Sequence, residues 1–280
     1  MPEALVALNY GFDAVATWVH GFDSADQPSR VSRGLYGVDV GLPRILDVHR
    51  EYEVPGTFFV PGYNVESFPD TVGRIVRDGH ELQCHGWKHT SPTEMTREEE
   101  RSDLERAIAA IEDIAGRRPD GYRSPTGDFS SDTLDLLREL EFEFDSSMQG
   151  DDFTPYMLRD GWEVNPEQGP FDRGTETDIV EIPFDWSLTE FIPFTPIWSD
   201  PHRRGYGNEA VYFDRWRKMF DWMYANEDCG VFVTILHPQL SGRIPLLSEF
   251  RAFLEYVTDK PGVEFKTMSA VAEEFRDGEL

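Results

Sequence analysis

The feature that most constrains this sequence is an alternation of short apolar runs, typical of buried strands, with longer segments of helical periodicity. Strand-like runs lie at residues 4–10, 57–60, 81–85, 120–125, 142–147, 178–186, 230–237 and 263–267. Helical segments lie at 68–77, 96–115, 130–141 and 212–226, and a last one begins at Ser269. Such alternation indicates parallel strands joined by crossover helices. Seven or eight such units favour a closed or nearly closed (β/α) barrel, and we treat residues 1–280 as one domain.

The segment 96–115 is the clearest helix of the series. Leu104, Ile108 and Ile111 recur at helical spacing, which predicts one face turned towards a core. Thr96 and Glu99 have the spacing of a capping box, and Gly116 follows the last helical residue. The sequence therefore predicts a helix that begins after Thr96 and ends before Gly116.

Polar and charged residues stand where the predicted strands end. Asp13 follows the first strand, and His85, Arg123, Asp185 and His237 lie at the ends of four others. In a (β/α) barrel the carboxyl ends of all strands meet at one rim, where active sites form. We therefore expect these five side chains to lie near one another.

His85 and His89, four residues apart in HGWKH, could bind a metal ion together with a carboxylate. Two imidazoles and one carboxylate leave coordination positions open for water and substrate, as in hydrolytic zinc sites. The spacing alone also suits a surface pair or two histidines satisfied by hydrogen bonds. Asp13 could equally cap the following segment, and His237 could be a core histidine. Arg123 could pair with any of the many carboxylates.

Composition argues against several partners. The chain has 53 acidic and 26 basic residues and a net charge of −27, so it repels the phosphate backbone of nucleic acids. No run of about 18 apolar residues is present, so no membrane span is expected. The N-terminal segment has no basic residues before its apolar stretch, unlike a signal peptide. The two cysteines, Cys84 and Cys229, imply no disulfide framework, and we expect a cytoplasmic protein.

The order of the motifs resembles that of the polysaccharide deacetylase family, which is also called the NodB homology domain. The matching segments are YGFDA (10–14), HGWKH (85–89), RSPTG (123–127), PFDW (183–186) and TILHP (234–238). DDFTPY and RGTETDIVEIP also resemble the branch with peptidoglycan deacetylases and cyclic amide hydrolases. The resemblance runs nearly end to end. It implies a distorted (β/α) barrel, a divalent metal that is usually zinc, and hydrolysis of a non-peptide C–N bond.

The resemblance also implies roles for individual residues. The implied metal ligands are Asp13, His85 and His89. His237 would be the general acid that protonates the leaving nitrogen, and Arg123 would orient carboxylate partners. The remaining residues would bind substrate: the backbone at Thr126 would meet the oxyanion, while Asp185 and Trp186 would shape the pocket.

One departure from the family pattern affects the general base. Family members carry an aspartate immediately before, or two residues before, the metal-binding aspartate, but here Phe12 and Gly11 occupy these positions. Glu81 or Asp128 could replace the base, or a metal-bound hydroxide could suffice at a rate lower by about 10² to 10⁴. Alternatively, the reaction has changed to that of an allantoinase-type cyclic amide hydrolase, or the protein is a degenerate barrel that binds metal or carbohydrate without catalysing a reaction. An iron oxygenase is less favoured, since its ligands usually lie on an antiparallel barrel.

The expected partner is a carbohydrate or another small-molecule amide. An aromatic and proline-rich excursion, residues 187–207, could be a lid over such a substrate or a contact between subunits. Exposed aromatics more often mark interfaces. We therefore favour a homo-oligomer.

Overall fold

The computed structural model describes residues 3–162, 169–195 and 207–280. The strands are β1 (Ala4–Ala7), β2 (Asn9–Gly11), β3 (Thr57–Val60), β4 (Glu81–Cys84), β5 (Gly121–Tyr122), β6 (Phe144–Asp145), β7 (Tyr156–Asp160), β8 (Thr175–Glu181), β9 (Gly230–Val233) and β10 (Val263–Phe265). These positions agree closely with the strand-like runs of the sequence, because buried β-branched and aromatic residues pack well on a pleated surface.

The helices surround the strands. They are α1 (Pro28–Tyr36), α2 (Leu42–Tyr52), α3 (Gly62–Ser67), α4 (Pro69–Arg77), α5 (Arg97–Ala115), α6 (Thr133–Glu139), α7 (Phe191–Phe194), α8 (Glu209–Asn226), α9 (Pro238–Ser241), α10 (Ile244–Thr258) and α11 (Met268–Arg276). Within the described ranges, no helix combines the length and the apolar character needed to cross a bilayer.

The strands form a distorted ring. One sheet has the order β10-β1-β9 and the other the order β2-β3-β4-β5-β6-β8-β7. β1 and β2 are separated by Leu8 alone, so one stretch of chain belongs to both sheets. Single parallel bridges from Tyr10 to Leu236 and from Thr189 to Ile235 connect the segment after β9 to β2 and to the segment after β8. The predicted distorted (β/α) barrel is therefore confirmed, with β1 and β2 acting as one strand.

The strand and helix pattern of the sequence does not predict β7. This strand runs antiparallel to β8, with Tyr156 opposite Glu181, and so departs from the βα alternation. Only its central residue, Leu158, is buried. Four of its five residues are partly exposed, and its apolar run, residues 156–158, is too short to mark it as a strand.

The capping box at the start of α5 is present as predicted. The Thr96 hydroxyl accepts a hydrogen bond from the Glu99 N–H at 3.3 Å, and the Thr96 N–H donates to Glu99 Oε2 at 2.9 Å. Gly116 ends the helix with φ of 69°, a left-handed conformation that glycine adopts without strain. These contacts fix the ends of α5, and Asp103 of this helix accepts a hydrogen bond from the Trp87 N–H in the His85–His89 loop.

Candidate metal centre and active site

Three side chains from two distant segments converge at the carboxyl rim of the ring. His85 Nε2 lies 3.6 Å from Asp13 Oδ1, and His89 Nε2 lies 3.4 Å from Asp13 Oδ2. The three potential ligand atoms lie within 4.8 Å of one another, and all three residues are buried. The structure thus brings together the residues that the sequence analysis proposed as metal ligands.

The donor atoms of this cluster fit a divalent cation. Asp13 Oδ1 is buried and has no hydrogen-bond partner among the described residues, which is costly for a carboxylate oxygen unless a cation faces it. His85 Nδ1 lies 2.6 Å from the carbonyl oxygen of Arg123. Because Nδ1 must donate to that carbonyl, the lone pair of a neutral His85 is on Nε2, which faces Asp13.

The protonation states also suit metal binding. Burial, together with the neighbouring His89, lowers the pKa of His85 to about 3. Burial by itself would raise the pKa of Asp13, but the imidazoles of His89, His237 and His85 outweigh it and hold the pKa well below its usual range. At neutral pH the cluster therefore offers a neutral imidazole and a carboxylate, which are the forms that bind a metal ion.

Strained backbone marks the two segments that carry the ligands. Ala14 has φ of 39° and His89 has φ of 60°, a region that non-glycine residues rarely occupy. Such conformations persist only where surrounding contacts enforce them, and they concentrate at functional sites.

His237 faces the cluster from the end of the β9 segment. Its Nε2 lies 3.5 Å from Asp13 Oδ2, and its Nδ1 lies 2.9 Å from Glu190 Oε2. Its backbone N–H donates to the other oxygen of Glu190. Burial lowers the pKa of His237, but Glu190 and Asp13 outweigh burial, so the net effect is a raised pKa. A protonated imidazole at this position can donate a proton into the site.

Glu190 is the functional candidate that sequence reasoning missed. It is fully buried and binds His237 through both carboxylate oxygens. In the sequence it lies within an aromatic segment, SLTEFIPF, and no strand end or motif singles it out. The only available signal was a lone carboxylate among apolar residues.

Arg123 is buried at the end of β5, but its hydrogen-bond partners differ from the expected carboxylates. Its guanidinium donates to the carbonyl and hydroxyl oxygens of Ser146, both at 2.7 Å, and to Asn9 Oδ1. Among the described residues no carboxylate is hydrogen-bonded to it. Burial lowers its pKa to about 10, while Asp145 and Glu181 oppose this shift. Arg123 therefore ties β5 to β2 and β6 and carries the carbonyl that orients His85.

A cavity of about 630 Å³ opens above these residues. Its wall includes the metal-site residues and His237, together with apolar and hydroxyl groups from several loops. Thr126 and Trp186 line it, as the sequence analysis predicted. Asp185 does not: its carboxylate accepts a hydrogen bond from the Ser187 N–H, and the side chain borders a separate recess. Successive residues of an extended chain point to opposite sides, so Phe184 and Trp186 face the cavity while Asp185 faces away.

The structure describes only part of the aromatic excursion, residues 187–195 and 207. Thr189, Phe191, Ile192 and Thr195 line the cavity, so this part of the excursion belongs to the cavity wall. Residues 196–206 lie outside the described residues. The alternative of a contact between subunits stays a prediction.

Neither of the proposed replacement bases reaches the cavity. Glu81 lies at the amino-terminal end of β4, where its carboxylate accepts hydrogen bonds from Thr57 Oγ1 at 2.6 Å and Met268 N–H at 3.0 Å. Asp128 is exposed and is not part of the cavity wall. At position 11, a Cβ atom would lie 2.7 Å from Asp13 Oδ1 and 3.0 Å from His237 Nε2. The space that a base at position 11 would enter is therefore filled by Asp13 and His237.

A buried carboxyl pair lies behind Arg123. Burial, and then repulsion by Asp145, raises the pKa of Glu181 well above its usual range, and burial raises the pKa of Asp145 as well. Glu181 Oε1 accepts hydrogen bonds from the Ser147 and Met148 N–H groups, whereas Oε2 has no donor partner among the described residues. Both shifts favour a proton shared by the pair in the folded state, which the unfolded chain releases.

Replacing Glu181 with glutamine is expected to stabilise the protein increasingly as the pH rises from 5 to 8. A raised folded-state pKa means that the native state binds a proton that the unfolded state loses above about pH 4.5, so stability falls with pH in this window. The side-chain amide of glutamine donates an N–H where the protonated carboxyl would donate its O–H, and the amide does not titrate. Denaturant unfolding of both proteins at the two pH values measures the difference, with a gain of at least about 1 kcal/mol expected at pH 8. An equal difference at both pH values would contradict the shared proton.

The fold and the site define a class: a barrel with two histidines and one aspartate clustered at its carboxyl rim. The model of the polysaccharide deacetylase family matches residues 35–144. A peptidoglycan deacetylase of Helicobacter pylori is 36% identical over 98% of this chain and 96% of that protein. The chain belongs to the polysaccharide deacetylase family, whose members hydrolyse C–N bonds of non-peptide amides.

Solved structures agree with this assignment. A protein of the polysaccharide deacetylase type from Mycobacterium smegmatis superimposes with a TM-score of 0.86 and 32% identity, over 100% of this chain and 92% of that chain. The allantoinase PuuE superimposes with a TM-score of 0.80, over 99% of this chain and 91% of that chain. Its identity is 24%, so this likeness concerns the fold alone.

Proposed function

We propose that the protein is a metal-dependent deacetylase that removes the acetyl group from an N-acetylated sugar. The observation that carries the proposal is the convergence of Asp13, His85 and His89 on one point, with His237 3.5 Å from the same carboxylate. The peptidoglycan deacetylase of similar sequence supports the choice of substrate. A hydrolase of this kind needs a metal site, a proton donor and a substrate pocket. The candidate metal ligands and the candidate proton donor, His237, line the same cavity.

Asp13, His85 and His89 would hold the metal. Two nitrogen donors and one carboxylate oxygen, with positions left for water and substrate, suit zinc. When bound, the ion would polarise the acetyl oxygen and lower the pKa of a bound water molecule. The remaining chemistry belongs to the side chains of this chain.

His237 would complete the reaction as the general acid. The hydroxyl of a water molecule goes to the acetyl carbon as the C–N bond breaks, and the proton on His237 Nε2 goes to the departing nitrogen, leaving acetate and an amine. Of the two protons that the water molecule releases, one restores the protonated His237 and the other goes to solvent. An amine leaves poorly without this proton. Glu190 accepts the hydrogen bond from Nδ1–H, so it orients the ring and favours its protonated form.

The pocket residues would bind the sugar and its acyl group. The backbone at Thr126 would donate to the oxyanion that develops on the acetyl oxygen. Trp186, which is 41% exposed, presents an aromatic ring against which a sugar ring can pack. Asp185 has no part in this proposal, because its side chain lies off the cavity.

The decisive experiment combines metal content with turnover. We expect purified protein to bind one equivalent of zinc and to release acetate from N-acetylglucosamine oligomers. Asp13→Ala should bind no metal and release no acetate. Wild-type protein that binds the metal but releases acetate from no acetylated sugar would refute the proposed substrate.

A second candidate is a cyclic amide hydrolase. Two observations favour it: position 11 carries no base, and the cavity of about 630 Å³ is large enough for a small ring. Hydantoin, succinimide and allantoin belong in the same assay. Activity on these rings and on no acetylated sugar would select this candidate over the deacetylase.

We also propose that the protein is a homo-oligomer and that it is cytoplasmic. Trp222 and Val211 expose 53% and 67% of their surface on α8, a patch that a second copy of the chain could cover. Light scattering of the purified protein measures the oligomeric state, and a monomeric mass would refute the oligomer. The cytoplasmic location stays a prediction of the sequence.

A further inference from the structure

The candidate metal centre joins two loops that lie far apart in the chain. Asp13 belongs to the turn after β2, and His85 and His89 belong to the loop after β4. A metal ion tolerates little change in the distance between its ligands. Some element must therefore hold the two loops in a fixed relation, and α3 contacts both.

Both polar atoms of the Asn64 side chain, on α3, are hydrogen-bonded to the backbone of the Asp13 turn. Its Nδ2 donates to the carbonyl oxygen of Phe12 at 2.8 Å and to that of Asp13 at 2.6 Å. Its Oδ1 accepts a hydrogen bond from the Ala16 N–H at 3.2 Å. Two acceptors face the amide nitrogen and one donor faces the oxygen, so a single orientation of the amide satisfies all three bonds.

These bonds hold a turn that is strained by itself. Ala14, which lies between the residues bound by Asn64, has φ of 39°, and a non-glycine residue in this region costs about 1–3 kcal/mol. Asn64 is fully buried, so water cannot replace its hydrogen bonds. The conformation that turns the Asp13 carboxylate into the site therefore depends on this amide.

The first residues of α3 contact the histidine loop. The Gly62 N–H donates to the carbonyl oxygen of Gly86, and the Tyr63 N–H donates to that of Trp87, both at 3.0 Å. A Cβ atom at Gly62 would lie 2.5 Å from the Trp87 ring, so the helix approaches this loop closely. One short helix thus contacts the loop of His85 and His89 through its backbone and the turn of Asp13 through Asn64.

We propose that Asn64 is a positioning residue of the metal centre, which through α3 sets the distance between the Asp13 carboxylate and the two imidazoles. The proposal rests on the metal site proposed above. Removing the amide leaves the Phe12 carbonyl without its donor, leaves the Asp13 carbonyl with the Ala16 N–H alone, and frees the turn to relax. The carboxylate then leaves the position 3.4 Å from His89 Nε2, and the metal loses one of its three ligands.

The test uses cobalt, because its visible absorption reports the ligand geometry directly. Asn64→Leu removes both donors at similar side-chain size, and Asn64→Asp removes the donors while keeping the acceptor for Ala16. Val65→Ala is the matched control, since Val65 is buried in the same helix and the change lowers packing without touching these bonds. We expect both Asn64 variants to bind cobalt about 10- to 100-fold more weakly than wild type, with an altered spectrum. Val65→Ala should bind within about twofold of wild type despite a comparable fall in apo-protein Tm.

An Asn64→Leu protein with the cobalt affinity and spectrum of wild type would overturn the proposal. A loss of affinity in Val65→Ala equal to that in Asn64→Leu would also overturn it, because the effect would then be one of stability. If Asn64→Leu does not fold, Asn64→Asp decides by the same criterion. Wild-type protein that binds no cobalt would refute the proposed metal site itself, whereas normal binding in the Asn64 variants refutes this inference alone.

Discussion

Replacing His237 with alanine is expected to lower kcat for acetate release by about 10²- to 10⁴-fold, the usual contribution of a general acid. The metal content should remain at one equivalent, because the proposed ligands are Asp13, His85 and His89. The proposed role of the imidazole is to protonate the leaving group, and Glu190 Oε2 lies 2.9 Å from its Nδ1. Steady-state kinetics and metal analysis of the same preparation measure both quantities.

Chemical rescue sharpens this prediction. Alanine leaves a space where the ring stood, and added imidazole is expected to restore part of the activity in His237→Ala. The Asp13→Ala protein serves as the control, since imidazole cannot replace a carboxylate ligand. If His237→Ala keeps more than a tenth of the wild-type rate with its metal bound, the assignment of His237 as the acid is wrong.

Introducing the family's base at position 11 is expected to damage this protein. The Cβ of Gly11→Asp would lie 2.7 Å from Asp13 Oδ1, closer than real Cβ contacts allow, and 3.0 Å from His237 Nε2, closer than most of them. Asp13 and His237 would both have to move, and misplacing a reacting group by about 1 Å can cost about 10²-fold in rate. We therefore expect at least this loss of activity, together with weaker metal binding, in Gly11→Asp.

Gly11→Ala separates crowding from charge. It adds the same Cβ without a carboxylate, so a comparable loss in both variants is the expected result. Activity and metal affinity of both proteins are compared with wild type. A gain of activity in Gly11→Asp beside a loss in Gly11→Ala would show that the carboxylate serves as a base, and our account of Gly11 would then be wrong.

The strand-end residues show how far sequence reasoning reached. Asp13, His85, Arg123 and His237 lie at the carboxyl ends of strands, and the topology of a parallel ring brings such positions together. The prediction that they meet at one rim needed only the βα alternation and the position of each residue in its run. The same reasoning placed Asp185 at the rim. It did not predict the direction of the side chain, which points away from the cavity.

The strand and helix pattern of the sequence could not predict three contributions to the site. Glu190 and Asn64 act through hydrogen bonds to residues 47 and about 50 positions away, and no local period marks such partners. The crowding at Gly11 is of the same kind. The sequence shows only that the family's base is missing, whereas the positions of Asp13 and His237 show why no side chain fits there.

The amino-acid sequence by itself predicted the (β/α) barrel and the family, and the three proposed ligands followed from the family resemblance. Strand periodicity and the order of motifs are local properties that can be read along the chain. Only the tertiary structure decided which buried carboxylate pairs with His237, which amide holds the Asp13 turn and where Asp185 points. Those outcomes depend on distances between segments that are remote in the chain. Such distances arise when the ring closes and the core packs, and no local pattern of residues encodes them.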